Sequence, residues 1–544
     1  MRHHATMGKL ARVRPASLPG ESSPTTTGRR PGAPLDVLVV VPSDAAQDGE
    51  GQLLRVVRAT DRLRPTVHRI GTGRGSARAL GDVLRLVTVL RSEDPDVVLA
   101  SGAQAAAAAI AAATVTGHRT VAVVDGPEAD LPARVTRRAA VVISPPAVAE
   151  GDDPVDPLVV PPAAADDGSA EVPLGAAAHR LAGVLAEAVG RPGAGMDPAV
   201  APPMSVVVPV WREGALVDDL VSALLPQLRP DDELILVDDG SPDDTGERVE
   251  RAAADHPQVR AVRQHPNAGA AAARNAGVAV ARHACIAFTD AGCHWGEGWL
   301  DGMRVPFAET PRPDLVAGAY RVSRRTVFEA ASAVGCYPDV GEVRRAGPVT
   351  TAWSVLFGRR FDPTRPAGRA MAVTRDALDE VGGWPEAVRA HEDLDLSRSI
   401  AERGLTCVLT TDADLLWDQA GLRGTLRMYV RYGRGDAEAA DRQALLRDIA
   451  RAGAYVVGAL GLVWGGTRAR AALAAAAVAY VWVPLARARR EERPLATAAL
   501  VPPVIMMKDL AKVWGVLEVV RERAGGPRRT GGLRREARPA AGSR

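Results

Sequence analysis

The sequence predicts an α/β protein: two α/β units in succession, followed by a tail of apolar helices. Three observations predict it. Short β-branched apolar runs alternate with helix-like stretches twice, over residues 35–195 and again over residues 204–435. That alternation marks parallel strands joined by crossover helices. The stretch 192–203, rich in Pro and Gly, divides the two units and reads as a linker. Over residues 440–523 the pattern gives way to long apolar stretches.

At 544 residues the chain is too long for one compact core. Its 47% hydrophobic and 24% charged residues are ordinary for globular proteins, and a net charge of +2 gives no reason to expect a nucleic-acid partner. Lys9, Lys508 and Lys512 are its only lysines; arginine is spread throughout, which reads as composition bias. Cys285, Cys293, Cys336 and Cys407 form no C-x-x-C pair, so neither a zinc site nor a redox dithiol is expected. Scattered thiols suit a reducing compartment. Residues 1–34 lack the apolar stretch of a secretory signal and read as a disordered lead-in, and the basic, Gly-rich residues 524–544 as a disordered tail.

In the first unit, strands are expected over 36–42, 97–100, 120–124 and 140–144, with helices over 79–91 and 103–113. This is a Rossmann-like pattern. Gly71, Gly73 and Gly75 fall short of the dinucleotide fingerprint and read as a turn, and residues 147–172 read as loop. In the second unit, strands are expected over 205–210, 233–237, 259–263 and 284–289, with helices over 215–228, 270–281 and a stretch ending at Asp255. Polar motifs follow the strands, at the strand ends where ligands bind in open α/β sheets.

Five such motifs occur in order. Pro209-Val-Trp211-Arg-Glu213 ends the first strand, and Trp211 offers a ring for stacking or a surface anchor. Asp238-Asp239-Gly240-Ser241 ends the second; paired carboxylates suit base N–H and ribose hydroxyl donors, and equally suit turn and helix-cap chemistry. Asn267-Ala-Gly269 and Arg274-Asn275-Ala-Gly277 open a helix whose small residues and free amides favour an anion. Asp290-Ala-Gly292 follows the fourth strand. Gly382-Gly383-Trp384 precedes His391-Glu392-Asp393-Leu-Asp395, a run that also reads as a charged helix start.

In this order the motifs resemble the family 2 glycosyltransferases of the GT-A fold, over residues 204–435. The resemblance implies an inverting enzyme using a nucleotide-sugar donor. It implies that Pro209, Trp211, Glu213, Asp238, Asp239, Asn267, Gly269, Arg274, Asn275 and Asp290 bind the donor, with Asp239 the first choice for the base. It implies a divalent cation, Mg²⁺ or Mn²⁺, held by Asp290; the usual second carboxylate is Gly292 here, and His294 stands nearby as a lesser candidate. Asp393 takes the part of catalytic base with Glu392 beside it, and Gly383, Trp384 and His391 that of acceptor contacts. Arg431 and Arg434, in a later basic stretch, are matched to a donor or lipid phosphate, or else to a solvated helix face. In the first unit, the runs PDVVLASG and RRAAVVISPP resemble the N-terminal half of two-domain (GT-B type) glycosyltransferases; with no second half following, the unit reads as accessory.

The apolar stretches 452–466, 471–486 and 495–507, flanked by Trp464, Trp482 and arginines, read as membrane-associated helices, with a buried soluble hairpin as the competing reading. The whole is an expected cell-membrane enzyme with a cytoplasmic catalytic domain and a lipid-linked or cell-envelope glycan acceptor. Two rivals stand beside it. One is a non-catalytic homologue that binds nucleotide or glycan. The other is a nucleotidyltransferase, which would need a Lys-containing phosphate loop that the core lacks.

Overall fold

The computed structural model describes residues 31–42, 57–70, 76–101, 103–116, 118, 121–124, 141–143, 181–183, 185–186, 190–344, 347–386, 391–438 and 442–524. The Gly71–Gly75 turn, the loop 147–172, most of the lead-in and nearly all of the basic tail therefore lie outside the described residues.

Five parallel strands form the first sheet: β1 (Leu35–Pro42), β2 (Leu63–Ile70), β3 (Val97–Ser101), β4 (Val121–Val124) and β5 (Val141–Ile143), in the order β2-β1-β3-β4-β5. Helices Ser76–Glu93 and Ala103–Thr116 pack on one face; Leu181, Ala182, Leu185 and Ala186 pack on the other. Sequence reasoning passed over β2, LRPTVHRI, because Pro65, Arg64 and Arg69 break its apolar run. It lies at the end of the strand order, where a proline and charged side chains are tolerated.

The second unit carries β6 (Met204–Val210), β7 (Glu233–Asp238), β8 (Val259–Arg263), β9 (Cys285–Phe288), β10 (Cys293–Trp295), β11 (Leu315–Gly318), β12 (Arg321–Val322), β13 (Met371–Thr374), β14 (Cys407–Thr410) and β15 (Leu415–Trp417). Seven of them form a mixed sheet in the order β14-β11-β13-β9-β6-β7-β8, with β13 antiparallel to both neighbours. β10, β15 and β12 make a second, three-stranded sheet. Strands β6, β7 and β9 are buried nearly throughout, as expected for strands covered on both faces. Two apolar clusters, one around Val206, Leu236 and Trp299 and one around Val207, Phe288 and Trp384, fill the two faces. The stretch between β11 and β13, which carries no readable pattern in the sequence, holds helices Val327–Cys336 and Pro348–Phe357.

The expected linker 192–203 is instead packed structure. Thr411 donates its N–H to the Gly190 carbonyl at 2.7 Å, and Gly193 donates to Glu309 at 2.9 Å. Two buried arginines tie the units together. Arg62 pairs with Glu309 and donates Nε to the Ala194 carbonyl at 2.9 Å. Arg191 bonds Asp412 at 3.0 Å and Asp96 at 3.3 Å. Removing one partner of such a buried pair typically costs about 3–5 kcal/mol, so these contacts fix the segment in place.

The tail consists of helices Arg442–Trp464, Thr467–Ala488 and Pro494–Ala524. The last lies against helix Leu422–Glu438 at very close range: a Cβ at Gly515 would overlap the Val430 carbonyl, and one at Gly433 the Lys512 carbonyl. Lys512 Nζ sits 2.7 Å from both Asp436 and Asp448. The boundary expected near residue 435 is therefore bridged by packing. Gly515→Ala is expected to destabilise: the helix-propensity gain of about 1 kcal/mol is outweighed by an overpacking cost of about 1–3 kcal/mol. Gly453→Ala, where a Cβ meets nothing within 4 Å, is expected to stabilise. Chemical denaturation of both variants in detergent checks the opposite signs.

Candidate active site

The carboxyl ends of β6, β7 and β9 place Trp211, Asp239 and Asp290 on one side of the sheet. Trp211 is 47% exposed, and the Arg212 guanidinium covers one ring face at 4.9 Å from its centre, leaving the other face for a planar ligand. Pro209 is half-buried within β6.

The acidic pair after β7 does different work from that expected. Asp238 is buried; its Oδ1 accepts the Ser241 N–H at 3.1 Å and its Oδ2 lies 3.5 Å from Arg263 Nε. Asp239 accepts the N–H groups of Ala268 and Gly269 and the Asn267 side-chain amide, each at 2.8 Å. Both Asp239 oxygens and Asn267 brace the loop that opens helix Ala270–Val280. Gly240 makes this possible: φ is +66°, and a Cβ would come within 2.8 Å of Asn267 N. Gly269 caps the helix start with φ +98°, and the space beside it is open.

Arg274, on that helix, reaches across the sheet end. It donates to Asp290 at 3.0 Å and to Glu392 at 3.0 Å, and it stacks 4.5 Å over Trp384. Trp384 is 1% exposed and packs edge-to-face on Phe288 at 5.0 Å. Burial corrects its expected role: it supports Arg274 and is closed to an acceptor. Asn275 and Gly383 are corrected likewise. Asn275 accepts the Trp384 N–H at 2.8 Å and donates to its carbonyl at 2.9 Å, and Gly383 (φ +79°) permits the approach, since a Cβ would stand 2.9 Å from Asn275 Oδ1.

Helix Glu392–Glu402 carries the acid cluster in its first turn. Asp393 accepts the Gly368 N–H at 2.9 Å, a contact that no sequence motif signals. Burial, and next the Glu392 charge, hold the Asp393 carboxyl above its ordinary range, while the Gly368 N–H and Arg274 act against this. His391, just before it, sits in left-handed backbone (φ +67°), with Nε2 3.3 Å from Asp436 and 3.2 Å from the Tyr432 carbonyl. Burial and then the Asp290 charge push the Glu213 carboxyl up to about 7.

Arg369 was missed by sequence reasoning. It lies 3.6 Å from Asp290 Oδ2, with its guanidinium 4.1 Å over Trp417 and 5.5 Å from the centre of Tyr320. A lone arginine before an apolar strand carries no signal; only folding brings it 79 positions back to Asp290. Arg434 is corrected in the opposite direction: it pairs with Glu518 at 3.1 Å and Glu522 at 2.9 Å on the last helix, which occupies it. Arg431 is exposed on helix Leu422–Glu438.

At the expected cation position Asp290 supplies a carboxylate and Gly292 supplies none. Among the described residues no group of three His, Cys, Asp or Glu side chains is placed to hold a metal. Asp290 is engaged by two guanidiniums, and His294 is paired with Asp418 at 3.0 Å.

Residues 205–365 match the family model described as Glycosyl transferase family 2. The glycosyltransferase EpsJ of Bacillus subtilis is 37% identical over 128 residues, 23% of this chain and 37% of EpsJ. Glycosyltransferase AglE of Haloferax volcanii is 23% identical over 264 residues, 48% of this chain and 82% of AglE. Among solved structures, mannosyltransferase PcManGT of Pyrobaculum calidifontis, in complex with GDP-Man and Mn²⁺, is 19% identical with a TM-score of 0.42, covering 58% of this chain and 89% of that one. A family 2 glycosyltransferase domain is supported. The match spans little more than a third of EpsJ.

Glu213 supplies a test of the site's electrostatics. Its folded pKa of about 7 exceeds the ordinary 4.5, so the stability it contributes is full below about 4.5 and is lost as pH rises through about 7. Glu213→Gln is expected to raise the melting temperature by a few degrees at about pH 8 and to leave it unchanged at about pH 4.

Proposed function

We propose that this chain is an inverting glycosyltransferase of GT-A type, moving a sugar from a nucleoside-diphosphate sugar to a hydroxyl of a lipid-linked or cell-envelope glycan. The observation that carries the reading is the convergence of Asp393, Glu392, Arg274 and Asp290 from motifs far apart in sequence onto one sheet end. Trp211 offers its open face to the base, and Asp290 faces the donor. The acceptor oxygen attacks the anomeric carbon from the side opposite the diphosphate. The bond from that carbon to the phosphate oxygen breaks, the nucleoside diphosphate leaves with the bonding pair, and the acceptor proton passes to Asp393. A carboxylate of raised pKa at hydrogen-bond reach suits that transfer. The first α/β unit is read as an accessory domain.

Asp393→Asn is expected to lower donor-to-acceptor transfer by at least about 100-fold while leaving nucleotide affinity within about twofold. A panel of nucleotide sugars with a lipid acceptor extract, assayed on full-length protein in detergent, checks this. Nucleotide binding without turnover by the unmodified chain would favour the non-catalytic homologue.

The same proposal places the enzyme at a membrane with its active site on the cytoplasmic side. Helix Thr467–Ala488, 22 residues, is long and apolar enough to cross one: its most apolar 18 residues have a mean hydropathy of 1.6, and only 11% of them are buried. Its neighbour exposes Val456, Val457, Leu460, Val463 and Trp464. Flotation with phospholipid vesicles is expected for the full chain and is expected to fall for Val457→Asp combined with Val463→Asp. Equal flotation of the two would argue against insertion of this hairpin.

A further inference from the structure

Asp290 stands where the family resemblance calls for a metal carboxylate, yet it is already held by two cations. Arg274 Nη2 donates to Oδ1 at 3.0 Å, and Arg369 Nε lies 3.6 Å from Oδ2. Mg²⁺ and Mn²⁺ at diphosphates are held by one or two protein carboxylates, with substrate phosphate oxygens and water completing a near-octahedral shell. This chain offers one, shared with guanidiniums. The position two residues on is Gly292, and Asp239, the other acid of the neighbouring motifs, has spent both oxygens on its own loop. We propose that the donor diphosphate is held here by Arg369, with Arg274 beside it, in place of a divalent cation. The proposal rests on the nucleotide-sugar reading above and adds how that site neutralises its anion.

Arg369 is built for such a task. Its guanidinium carbon lies 4.1 Å from the ring centre of Trp417 and 5.5 Å from that of Tyr320, cation–π contacts that restrict its movement. Its Nε finds no hydrogen-bond partner among the described residues, although it is shut away from solvent. A guanidinium carries five N–H donors, so one distant carboxylate leaves donors for two phosphate oxygens in the bidentate geometry that Arg favours. The neighbouring residue, Gly368, holds Asp393 through its N–H at 2.9 Å. Arg369 therefore lies between the donor-side acid Asp290 and the base, where the charge of the leaving diphosphate develops. Beside it, a Cβ at Gly292 would meet nothing within 4 Å, so the space of a second metal carboxylate exists but carries no ligand.

The test is calorimetric titration of UDP, GDP, CDP and dTDP into the full-length protein in detergent, once with excess EDTA and once with Mn²⁺, alongside Mn²⁺ binding followed by electron paramagnetic resonance. For the nucleotide that binds, affinity is expected to agree within about twofold between the two conditions. Arg369→Gln is expected to weaken it about 10- to 100-fold, and Arg369→Lys, which keeps the charge and loses the fork, by less. Thermal melting of both variants guards against misfolding. Gly292→Asp is expected to create Mn²⁺ binding that the unmodified chain lacks. A tenfold or greater loss of affinity in EDTA, stoichiometric Mn²⁺ on the unmodified protein, or unchanged affinity in a folded Arg369→Gln would overturn the proposal while leaving the nucleotide-sugar reading intact. Failure of every nucleotide to bind in both conditions would instead overturn that reading, and this inference with it.

Discussion

The buried Arg274 guanidinium is the contact on which the site depends. It joins Asp290, just beyond β9, to Glu392 at the start of a helix, 118 positions downstream of Arg274, and lies over the face of Trp384. A cation so deeply placed costs a large desolvation penalty that only its two carboxylates and the ring offset. In turn, the acids tolerate one another because Arg274 and Arg369 stand among them. The GGW turn, the Asn275 brace and the Phe288 contact are the scaffold that aims one arginine.

Carboxylates in this region divide by what they touch. Asp238 and Asp239 accept backbone amides and brace the loops that follow β7 and open helix Ala270–Val280. Glu213 lies near Asp290 and Asp393 near Glu392, and burial, then the neighbouring acid's charge, raises Glu213 and Asp393 above the usual carboxylate range. His391 enters its helix in left-handed backbone, a conformation costly for a residue with a Cβ, immediately before these acids. Strain of this kind persists where surrounding contacts enforce it, and here Tyr432 and Asp436 of helix Leu422–Glu438 do so. The tail thus reaches the candidate site: that helix is locked by glycine contacts to Pro494–Ala524, and through His391 it touches the turn that carries Glu392 and Asp393.

Much of the fold was legible. The strands β6, β7, β8 and β9 are short apolar runs ended by polar residues, and their limits lie within a residue or two of those read from the pattern. The tail helices were legible as apolar runs, although the last extends through Pro502 and Pro503, which interrupt the pattern but not the helix. What escaped was edge and contact structure. β2 is an edge strand without an apolar run, and the 192–203 segment looks like a linker until Arg62 is seen to hold Ala194, Glu309 to hold Gly193, and the adjoining Arg191 to bond Asp412 and Asp96.

The sequence by itself determined the α/β order and the place of the polar motifs after the strands, because each is a local pattern of period or spacing; Asp290, Arg274, Glu392 and Asp393 stand out as a set through the resemblance of those motifs to family 2 glycosyltransferases. Only the tertiary structure decided which members hold the frame. It turned Asp239, Asn267, Asn275, Gly383 and Trp384 inward to bracing, gave Arg434 to the last helix, and brought in Arg369 and Gly368. Those outcomes depend on which side chains meet across the sheet end, and burial and pairing between distant segments leave no periodicity in a chain to be read.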